Sequence, residues 1–569
     1  MNDTKDPLER LASTRSRGAA TLALLSGAAA LPTLAFPLVG DDYFHIEVAS
    51  RLRDALARGW VLPIDQGGAW WTPPGLAVEY FRPLIVLSFA FDRLFYGVHA
   101  PGYHLTNLFL HVAATLLVWG LAKRVIGAGF GAWAAAALFA LHPCHTQAVA
   151  WISGRTDVLS CVLYLSALLV HLDGRGASRT RLSWMRVGAS LGLFALALLA
   201  KEMAVSFPAV VVLHGLFRPE GESLARRLTV PVLACVVAGF YFAVRFAMFG
   251  GFHPPPAPFA FHLGDAGLLW HLAASPLLYL ADLTLFVPAD PMITVPFWRA
   301  HPLLLLGFSA IVVNTFRGTV QRTPREPPER GWPVLAWGLA WMVVTLGPVA
   351  MLTMGEHFLY LPSVGYCILV GSGVPQSPAR IGAKDRRALA IVAAMVATVC
   401  AVRVGLFARV AFASSRVNEE AAAALDRAPG VDRLLVVDLP ASSSLAFPQA
   451  LRLARPNRSL SVDILSISPA LRPSDPADFS QLALPAQDTL ELRRDDGFLG
   501  TYVERALAGP RASFVAGETI ERPGCIITVL DAPGGRLGAF RVNVRDASRT
   551  LVLREAPGRD PAGFETVRW

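Results

Sequence analysis

The sequence predicts a polytopic α-helical membrane protein with a small α/β or β-rich soluble domain at its carboxyl end. Of its 569 residues, 54% are hydrophobic and only 16% are charged, whereas soluble globular proteins carry roughly 25% charged residues. The mean hydropathy is +0.46. Apolar runs of membrane-spanning length recur over residues 19–408, and the composition changes after about residue 409. These observations exclude an ordinary soluble enzyme and a disordered chain.

Eleven apolar runs approach the roughly 20 residues that a helix needs to cross the hydrocarbon core. The first follows a head, residues 1–18, that contains Lys5, Arg10 and Arg15. It is interpreted as a retained helix and not a signal peptide, because it is long and no small-x-small cleavage site precedes Asp41. The eleven predicted spans are 19–38, 104–122, 128–142, 156–172, 187–200, 204–217, 228–249, 300–316, 332–350, 358–374 and 388–408.

The connections between these runs alternate between Arg/Lys-rich and Arg/Lys-poor segments. The positive-inside rule therefore places the amino terminus, residues 1–18, in the cytoplasm. An odd number of spans places the carboxyl terminus outside. The run 266–287 is apolar enough to span, but both of its flanks must be external if the Arg-rich loop 317–330 is cytoplasmic. It is predicted to lie at, or re-enter from, the outer face within an external segment 250–299.

Residues 409–569 read as an external soluble domain. Strand-like runs such as Leu434–Leu439, Ser461–Ile467, Cys525–Leu530 and Phe540–Val544 are separated by Pro, Gly and Asp clusters. This segment holds 20 basic and 20 acidic residues, so the net charge of +9 resides in the membrane portion. The excess of positive charge therefore follows from the basic cytoplasmic segments and does not indicate binding to nucleic acid. No 34-residue helical period and no catalytic motif is present in this domain.

Ionisable residues gather at the predicted outer ends of five different hairpins, where each is costly and invites a functional hypothesis. The first group is Asp41 and Asp42 in the first external loop, 39–103. One of these carboxylates is a candidate general base, or either could bind a divalent metal. An acidic loop that only contributes to topology is an equal alternative.

The other four groups contain basic and polar residues suited to a phosphate. The second group is Arg82 with His104, Asn107 and His111; the third is His142, Cys144 and His145 with Arg155 and Asp157; the fourth is Lys201 and Glu202; and the fifth is Glu356, His357 and Tyr360. His104, Asn107 and His111 share one helical face, and His142, Cys144 and His145 superficially resemble a metal site, but no fourth-ligand pattern accompanies them. Structural pairing of buried charges and helix–helix hydrogen bonding are the alternatives. The candidate donor-binding residues are Arg82, His104, Asn107, His142, His145, Arg155, Asp157, Lys201, Glu202, Glu356, His357 and Tyr360. Their shared outer depth suits a lipid-linked phosphate, whose head group lies at the interface.

These strings resemble the membrane portion of the transmembrane-and-tetratricopeptide O-mannosyltransferases, which have the C-type glycosyltransferase fold. The resemblance covers about residues 20–410. It rests on ordered motifs: Arg82-Pro83-Leu84, Tyr103-His104-Leu105-Thr106-Asn107 with His111, His142-Pro143 with His145-Thr146-Gln147, Gly154-Arg155-Thr156-Asp157, Lys201-Glu202, and Glu356 with Leu359-Tyr360-Leu361-Pro362-Ser363. The helical repeats of that family are absent, and a small β-containing domain stands in their place.

The resemblance implies an inverting transfer of a sugar from a polyprenyl-phosphate donor to an acceptor hydroxyl on the external side. Asp41 or Asp42 would be the general base, and Arg82, His104, Arg155 and Lys201 would hold the phosphate. A divalent cation, Mg²⁺ or Mn²⁺, bridging an aspartate to the phosphate is an open alternative that the sequence does not require. Because the repeats that engage protein acceptors are absent, the sequence does not determine whether the acceptor is a protein, a lipid or a glycan; membrane lipid is an expected partner of the chain. No nucleic-acid partner is expected.

Two other functions remain open from the sequence. A transporter or flippase of a lipid-linked glycan would usually show internal repeats and charges near the bilayer midplane, and neither is evident. A non-catalytic scaffold would leave the aspartate pair and Lys201-Glu202 unexplained. The strong preference for Arg over Lys and the short loops suggest a bacterial chain. We therefore expect an inner-membrane protein with a periplasmic active side and a periplasmic carboxyl-terminal domain.

Overall fold

A computed structural model describes residues 15–57, 62–63, 68–72, 77–78, 80–174, 181–217, 223–251, 260–265, 267–286, 331–440, 443, 446–468, 479–499, 504, 513–555 and 564–567. It confirms an α-helical membrane portion followed by a strand-rich domain. Ten of the eleven predicted spans correspond to described helices, and the eleventh, 300–316, lies outside the described residues together with the Arg-rich loop 317–330. The protein is an integral, multi-pass membrane protein.

The membrane portion is built from helices that begin and end where the sequence offers the usual signals. Pro83 occupies the first turn of the helix that follows Arg82, and Gly97, at φ 59°, ends it; proline fits the first turn and glycine tolerates the left-handed region. The helices are α1 Arg15–Ala30, α2 Asp42–Ser50, α3 Leu52–Ala57, α4 Pro83–Tyr96, α5 Ala100–Ile126, α6 Phe130–Leu141, α7 Thr146–Ala150, α8 Arg155–Gly174, α9 Arg181–Ala200, α10 Phe207–Phe217, α11 Leu224–Phe249, α12 Leu268–Leu285, α13 Gly331–Leu346 and α14 Ser363–Ser372.

Short 3-10 turns interrupt the chain at several helix ends and place polar residues there. They cover Leu31–Ala35, Pro143–His145, Ile152–Gly154, Glu202–Ser206 and Glu356–Leu359. By length and composition, six helical segments in the described part can cross a membrane, and five shorter apolar helices accompany them.

Helix α12 corresponds to the apolar run for which the sequence predicts an outer-face position. Ahead of its amino end, the Phe261 N–H donates to the carbonyl of Met351, and near its carboxyl end Asp282 pairs with Arg403 at 2.7 Å. Leu269 and Trp270 are exposed. The helix is also long and apolar enough to span, so its placement along the outer face stays a prediction. Much of the predicted external segment 250–299 lies outside the described residues.

A single helix, α15, joins the membrane portion to the carboxyl-terminal domain. It covers Ala383–Asp426, 44 residues, or about 66 Å at 1.5 Å per residue. Its exposed apolar side chains lie between Ile391 and Phe412, whereas Leu425 is buried in the core of the carboxyl-terminal domain. The boundary predicted at residues 408–409 therefore falls inside a continuous helix and not in a linker, because the apolar stretch passes directly into a buried amphipathic turn.

The carboxyl-terminal domain packs two sheets and one helix, α16 Phe447–Ala454, around a common core. Strands β1 Leu62–Pro63 and β2 Ala77–Val78 pair with each other between α3 and α4. The strands of the carboxyl-terminal domain are β3 Arg433–Val437, β4 Leu439–Pro440, β5 Ser461–Ile464, β6 Ile467–Ser468, β7 Gln481–Ala486, β8 Thr489–Arg493, β9 Thr519–Arg522, β10 Cys525–Asp531, β11 Ala539–Val544, β12 Thr550–Glu555 and β13 Phe564–Val567. One sheet has the order β13-β12-β3-β5 with β12, β3 and β5 parallel, the other is antiparallel with the order β7-β8-β11-β10-β9, and the short β4 and β6 pair with each other. The four predicted strand runs all coincide with strands, and the domain is of the α/β kind.

Part of the first external loop belongs structurally to this distant domain. Ala69 forms a parallel β-bridge with Ile464 of β5, and Trp70 and Trp71 are 1% and 2% exposed in the domain core. The indole N–H of Trp70 donates to the carbonyl of Leu465 at 3.0 Å. Residues 68–72 thus dock on the free side of β5 and tie the loop to the domain.

Candidate active site

Residues from all five predicted groups lie on the turns and helix starts at one end of the membrane portion, and members of all five converge. Arg82 interacts electrostatically with Asp41, Asp157 and Glu202, and His357 lies near Lys201. The residues come from the start of α2, the start of α4, the first turn of α8, the turn after α9 and the turn Glu356–Leu359 before α14. The structure therefore brings together carboxylates and cations that the sequence separates by more than 300 positions.

Asp42 is an anchor between two loops. Its Oδ1 accepts hydrogen bonds from the backbone N–H of Ser153 at 2.8 Å and from the Ser153 hydroxyl at 2.6 Å. Its Oδ2 accepts from the N–H of Val39 at 3.0 Å, and the residue is fully buried. Burial raises the pKa of Asp42 to about 7, against the opposing effect of these hydrogen bonds. Both oxygens are engaged, which favours a structural role.

Asp41 has the opposite surroundings. Its side chain is only partly buried, and in the described part of the chain its carboxylate makes no hydrogen bond or ion pair. Burial raises the pKa of Asp41 to about 6, and the charge of Arg82 opposes that increase. An unengaged carboxylate that loses its proton near neutral pH, close to fixed cations, has the properties of a general base.

Arg82 and Glu202 form the most open charge pair of the site. The Nε and Nη2 atoms of Arg82 donate to Oε2 of Glu202 at 3.0 and 2.8 Å, and the two side chains are 18% and 21% exposed. The Arg82 guanidinium also stacks over the Tyr80 ring, 4.2 Å from its centroid. Arg245 of α11 contributes electrostatically to Glu202. Sequence reasoning missed Arg245, although a basic residue near the outer end of a span was a usable signal.

Lys201 forms a second pair beside the first. Its Nζ donates to Oδ1 of Asp157 at 2.6 Å, and both side chains are at most 5% exposed. The ammonium group lies 4.8 Å from the centroid of the Phe358 ring. His357 is held by Gln147, whose Oε1 accepts from the His357 backbone N–H at 3.0 Å. This part of the site is more enclosed than the Arg82–Glu202 pair.

Arg155 and Asn107 lie deeper and are engaged by protein groups. Arg155 is fully buried and pairs with Asp92 at 2.6 Å. Its Nε donates to Oδ1 of Asn107 at 2.8 Å, and its Nη2 donates to the carbonyl of Tyr103 at 3.0 Å. This placement favours a structural role for both residues over the predicted contact with a phosphate. Asp92, inside an apolar helix, was not singled out from the sequence.

The four histidines of the second and third groups, His104, His111, His142 and His145, have different surroundings. His111 contacts the Tyr360 hydroxyl at 2.7 Å, and His145 contacts the Ser363 hydroxyl at 2.9 Å. His142 contacts the carbonyl of Leu283 at 3.0 Å. These three histidines line a small cavity between α1, α5, α6, α7 and α15, whereas the buried His104 ring lies edge-on to Phe36. Helix-to-helix hydrogen bonding, the alternative to donor binding, accounts for His111, His142, His145 and Tyr360.

The fifth group joins the site to the two helices beside it. Glu356 lies 3.4 Å from Nη1 of Arg403, whose Nη2 is 2.7 Å from Asp282. Arg403 and Asp282 were not identified from the sequence, although ionisable residues inside apolar runs are a recognised signal. This network fixes α15 and α12 against the turn that precedes α14.

The described residues do not assemble a dedicated metal site. No group of three or more His, Cys, Asp or Glu side chains in the described ranges is arranged to hold an ion. Cys144 packs as a buried free thiol, so the His142/Cys144/His145 spacing does not form a metal site there. With both Asp42 oxygens occupied, the aspartate pair offers one available carboxylate and not two.

Similarity to known proteins is concentrated in segments of the chain. Protein O-mannosyl-transferase Tmtc2 of Drosophila melanogaster is 39% identical over 171 residues, which cover 29% of this chain and 18% of that protein. Protein O-mannosyl-transferase TMTC1 of Mus musculus is 32% identical over 225 residues, which cover 37% of this chain and 24% of that protein. The chain spans at most about a quarter of the length of these relatives. The resemblance drawn from the motifs is confirmed, and no protein-family model matches the chain.

Comparison with solved structures finds two distant similarities. ArnT from Cupriavidus metallidurans bound to undecaprenyl phosphate superposes with a TM-score of 0.42 at 16% identity, covering 79% of this chain and 86% of that chain. The Archaeoglobus fulgidus oligosaccharyltransferase in complex with Zn and sulfate superposes with a TM-score of 0.43 at 15% identity, covering 68% and 52%.

Proposed function

We propose that this protein is a membrane glycosyltransferase of the C-type. It moves a sugar from a polyprenyl-phosphate donor to an acceptor hydroxyl at the outer face of the membrane in which it lies. The observation that carries the proposal is the Asp41 carboxylate, which makes no hydrogen bond or ion pair with the described residues and interacts electrostatically with Arg82, itself paired to Glu202. The relatives that match segments of the chain are named protein O-mannosyl-transferases, so a mannosyl donor is the first to test.

The site offers a group for each charge that such a transfer develops. Asp41 takes the proton of the acceptor hydroxyl while the hydroxyl oxygen attacks the anomeric carbon of the sugar. The bond between that carbon and the lipid phosphate breaks on the opposite face of the sugar, so the anomeric centre is inverted. Fixed cations stabilise the leaving phosphate. Arg82 and Lys201 are at the site, and Arg245 adds a third positive charge nearby.

The two ion pairs explain how the cations can be held in place before a donor binds. Glu202 and Asp157 neutralise Arg82 and Lys201 and fix their positions. Because the Arg82–Glu202 pair is partly exposed, a phosphate can approach the guanidinium without first opening the core. Among the described residues, Asp41 would offer a divalent cation a carboxylate that could act together with the donor's own phosphate oxygens, and no step above depends on such a cation.

The proposal also assigns the orientation and the compartment. The amino terminus faces the cytoplasm, and the site and the carboxyl-terminal domain face the periplasm of a bacterial inner membrane. The alternation of Arg-rich segments supports this orientation. The acceptor is a hydroxyl on a protein or glycan delivered from that side.

The test is transfer from a radiolabelled polyprenyl-phosphate mannose by the purified full-length protein in lipid nanodiscs. We expect Asp41→Asn to lower the rate by about 100-fold or more, the usual contribution of a general base, with an unchanged melting temperature. Asp54→Asn is the matched control, since Asp54 is an exposed acid in the same loop. A wild-type rate in Asp41→Asn would disprove the role of Asp41. Movement of donor across vesicles without transfer would favour the flippase.

A further inference from the structure

The proposed base, Asp41, immediately precedes helix α2, and the carboxyl-terminal domain contacts this helix further along its length. Glu47 lies five residues after Asp42 on the helix, about 7.5 Å further along the axis. Glu47 accepts two hydrogen bonds from Arg452 of α16: Nε to Oε1 at 3.0 Å and Nη2 to Oε2 at 3.2 Å. A bidentate pair of this kind restricts orientation as well as distance.

Apolar and polar contacts support that pair. Leu453, next to Arg452 on α16, packs against the buried cluster that contains Ile46 and Ala49 of α2. The Nδ2 group of Asn418, on the part of α15 that enters the domain, donates to the Tyr43 hydroxyl at 3.3 Å. Helix α2 is therefore clamped between the membrane portion and two helices of the carboxyl-terminal domain.

The same loop is anchored a second time, at residues 68–72. Besides the bridge from Ala69 to Ile464, the indole N–H of Trp71 donates to the carbonyl of Glu504, and Nη2 of Arg522 donates to the carbonyl of Ala69. Two buried tryptophans and a β-bridge make these residues part of the core and of the sheet of the carboxyl-terminal domain. The anchor fixes the chain between Asp41 and Arg82, which are both residues of the proposed site.

We infer that the carboxyl-terminal domain is a positioning device for the catalytic loop, with Arg452 and Glu47 as the positioning pair that sets the orientation of α2 and hence of Asp41. This inference rests on the proposed function for its catalytic consequence, but its structural claim does not. Neither residue touches a reacting group. Their effect reaches the reaction only through the placement of Asp41.

The test uses the full-length protein in nanodiscs and two independent measurements. The first is kcat and KM for a polyprenyl-phosphate mannose, and the second is backbone hydrogen exchange of residues 42–57. Arg452→Ala should lower kcat at least tenfold, change the donor KM less than twofold and accelerate exchange in α2. The milder Glu47→Gln, which keeps the side-chain volume, should do the same to a lesser extent and remains informative if Arg452→Ala does not fold.

Two further variants separate positioning from general stability. The charge exchange Glu47→Arg with Arg452→Glu should restore kcat to within about threefold of wild type. Arg455→Ala is the matched control, because Arg455 lies next to α16 but pairs with the exposed Asp426 within its own domain; it should change neither measurement. Unchanged exchange in Arg452→Ala, faster exchange with an unchanged kcat, or an equal loss in Arg455→Ala would each overturn the inference.

The failure of the proposed function gives a different result. If the wild-type protein transfers no sugar, the exchange measurement alone decides the structural claim, and slow exchange of α2 that depends on Arg452 still supports it. If the wild type is active and only the Asp41 variant fails, the glycosyltransferase proposal holds while the positioning role of Arg452 is wrong.

Discussion

Asp41 and Asp42 are chemically identical neighbours that have different surroundings in the structure. The Asp42 carboxylate accepts three hydrogen bonds, one from Val39 and two from Ser153. The Asp41 carboxylate has no such partner in the described part of the chain. The difference follows from the helix start between them, since consecutive residues at a helix start project in directions about 100° apart. One carboxylate therefore faces the protein and the other faces the site.

The pH dependence of transfer should report the ionisation of Asp41. Its raised pKa of about 6 means that the carboxyl is protonated, and inactive as a base, at lower pH. We expect the rate to rise with pH through about 6 and to level off above about 7. The measurement is kcat/KM between pH 4.5 and 8.5 in nanodiscs.

Because Asp41 and Asp42 interact, the profile belongs to the pair and not to one residue. Asp42→Asn separates them: it should keep the rising limb with a shifted midpoint, while Asp41→Asn should remove it. A profile that falls with increasing pH in this range would contradict the role of Asp41 as base.

Pairs of helix ends, and not single helices, build the site. Lys201 follows α9 and Asp157 lies in the first turn of α8, and these two helices pack along their lengths. Arg403, in the middle of α15, pairs in addition with Asp282 near the carboxyl end of α12. Each pair buries two charges, and such pairs are weak evidence for stability but are costly to break one partner at a time.

Lys201 and Asp157 allow structure and function to be separated at this scale. Lys201→Met should destabilise the fold by about 3–5 kcal/mol because it leaves Asp157 buried without its cation. The double variant with Asp157→Asn removes both charges and should recover most of that loss. If Lys201 also holds the donor phosphate, transfer stays low in both variants.

Thermal unfolding and transfer rate, measured on the same nanodisc preparations, check this prediction. Arg403→Met, which also breaks a buried pair but at the edge of the site, is the comparison for loss of stability alone. A double variant that regained both stability and transfer would show that the Lys201–Asp157 pair is structural.

At the scale of the whole molecule, one continuous helix and one docked loop link the membrane portion to the carboxyl-terminal domain. The apolar exposed part of α15 runs from Ile391 to Phe412, about 32 Å of helix, which matches the hydrocarbon thickness. The domain must therefore lie on the same side of the membrane as the end of this stretch. The site lies on that side too, since α2 touches both.

The topology can be checked with single cysteines introduced at exposed positions. We expect Ser548→Cys in the carboxyl-terminal domain to react with a membrane-impermeant maleimide in intact spheroplasts. Lys384→Cys, at the start of α15, should react only after the membrane is permeabilised. Each variant is compared with the unsubstituted protein, which has its own six cysteines. The reverse labelling pattern would invert the proposed orientation.

The sequence by itself determined the class of the protein and the positions along the chain of the polar groups that form the proposed site. Apolar runs and Arg-rich connections depend only on local composition, so the helical membrane portion, the strand-rich domain and the five polar groups were all predictable. The motifs also pointed to the mannosyltransferase relatives. The continuous α15 was not predictable. The change in composition near residue 409 shows where the surroundings of the chain change from lipid to water and protein, but it does not show where a helix ends.

Only the tertiary structure decided which polar residues have partners. Arg155 reads from the sequence like Arg82, but it is enclosed by Asp92, Asn107 and Tyr103, whereas Arg82 remains partly exposed beside Glu202. The docking of Trp70 and the pairing of Glu47 with Arg452 join residues about 400 positions apart. Such contacts depend on how helices and sheets pack in three dimensions, and local sequence patterns carry no record of that packing.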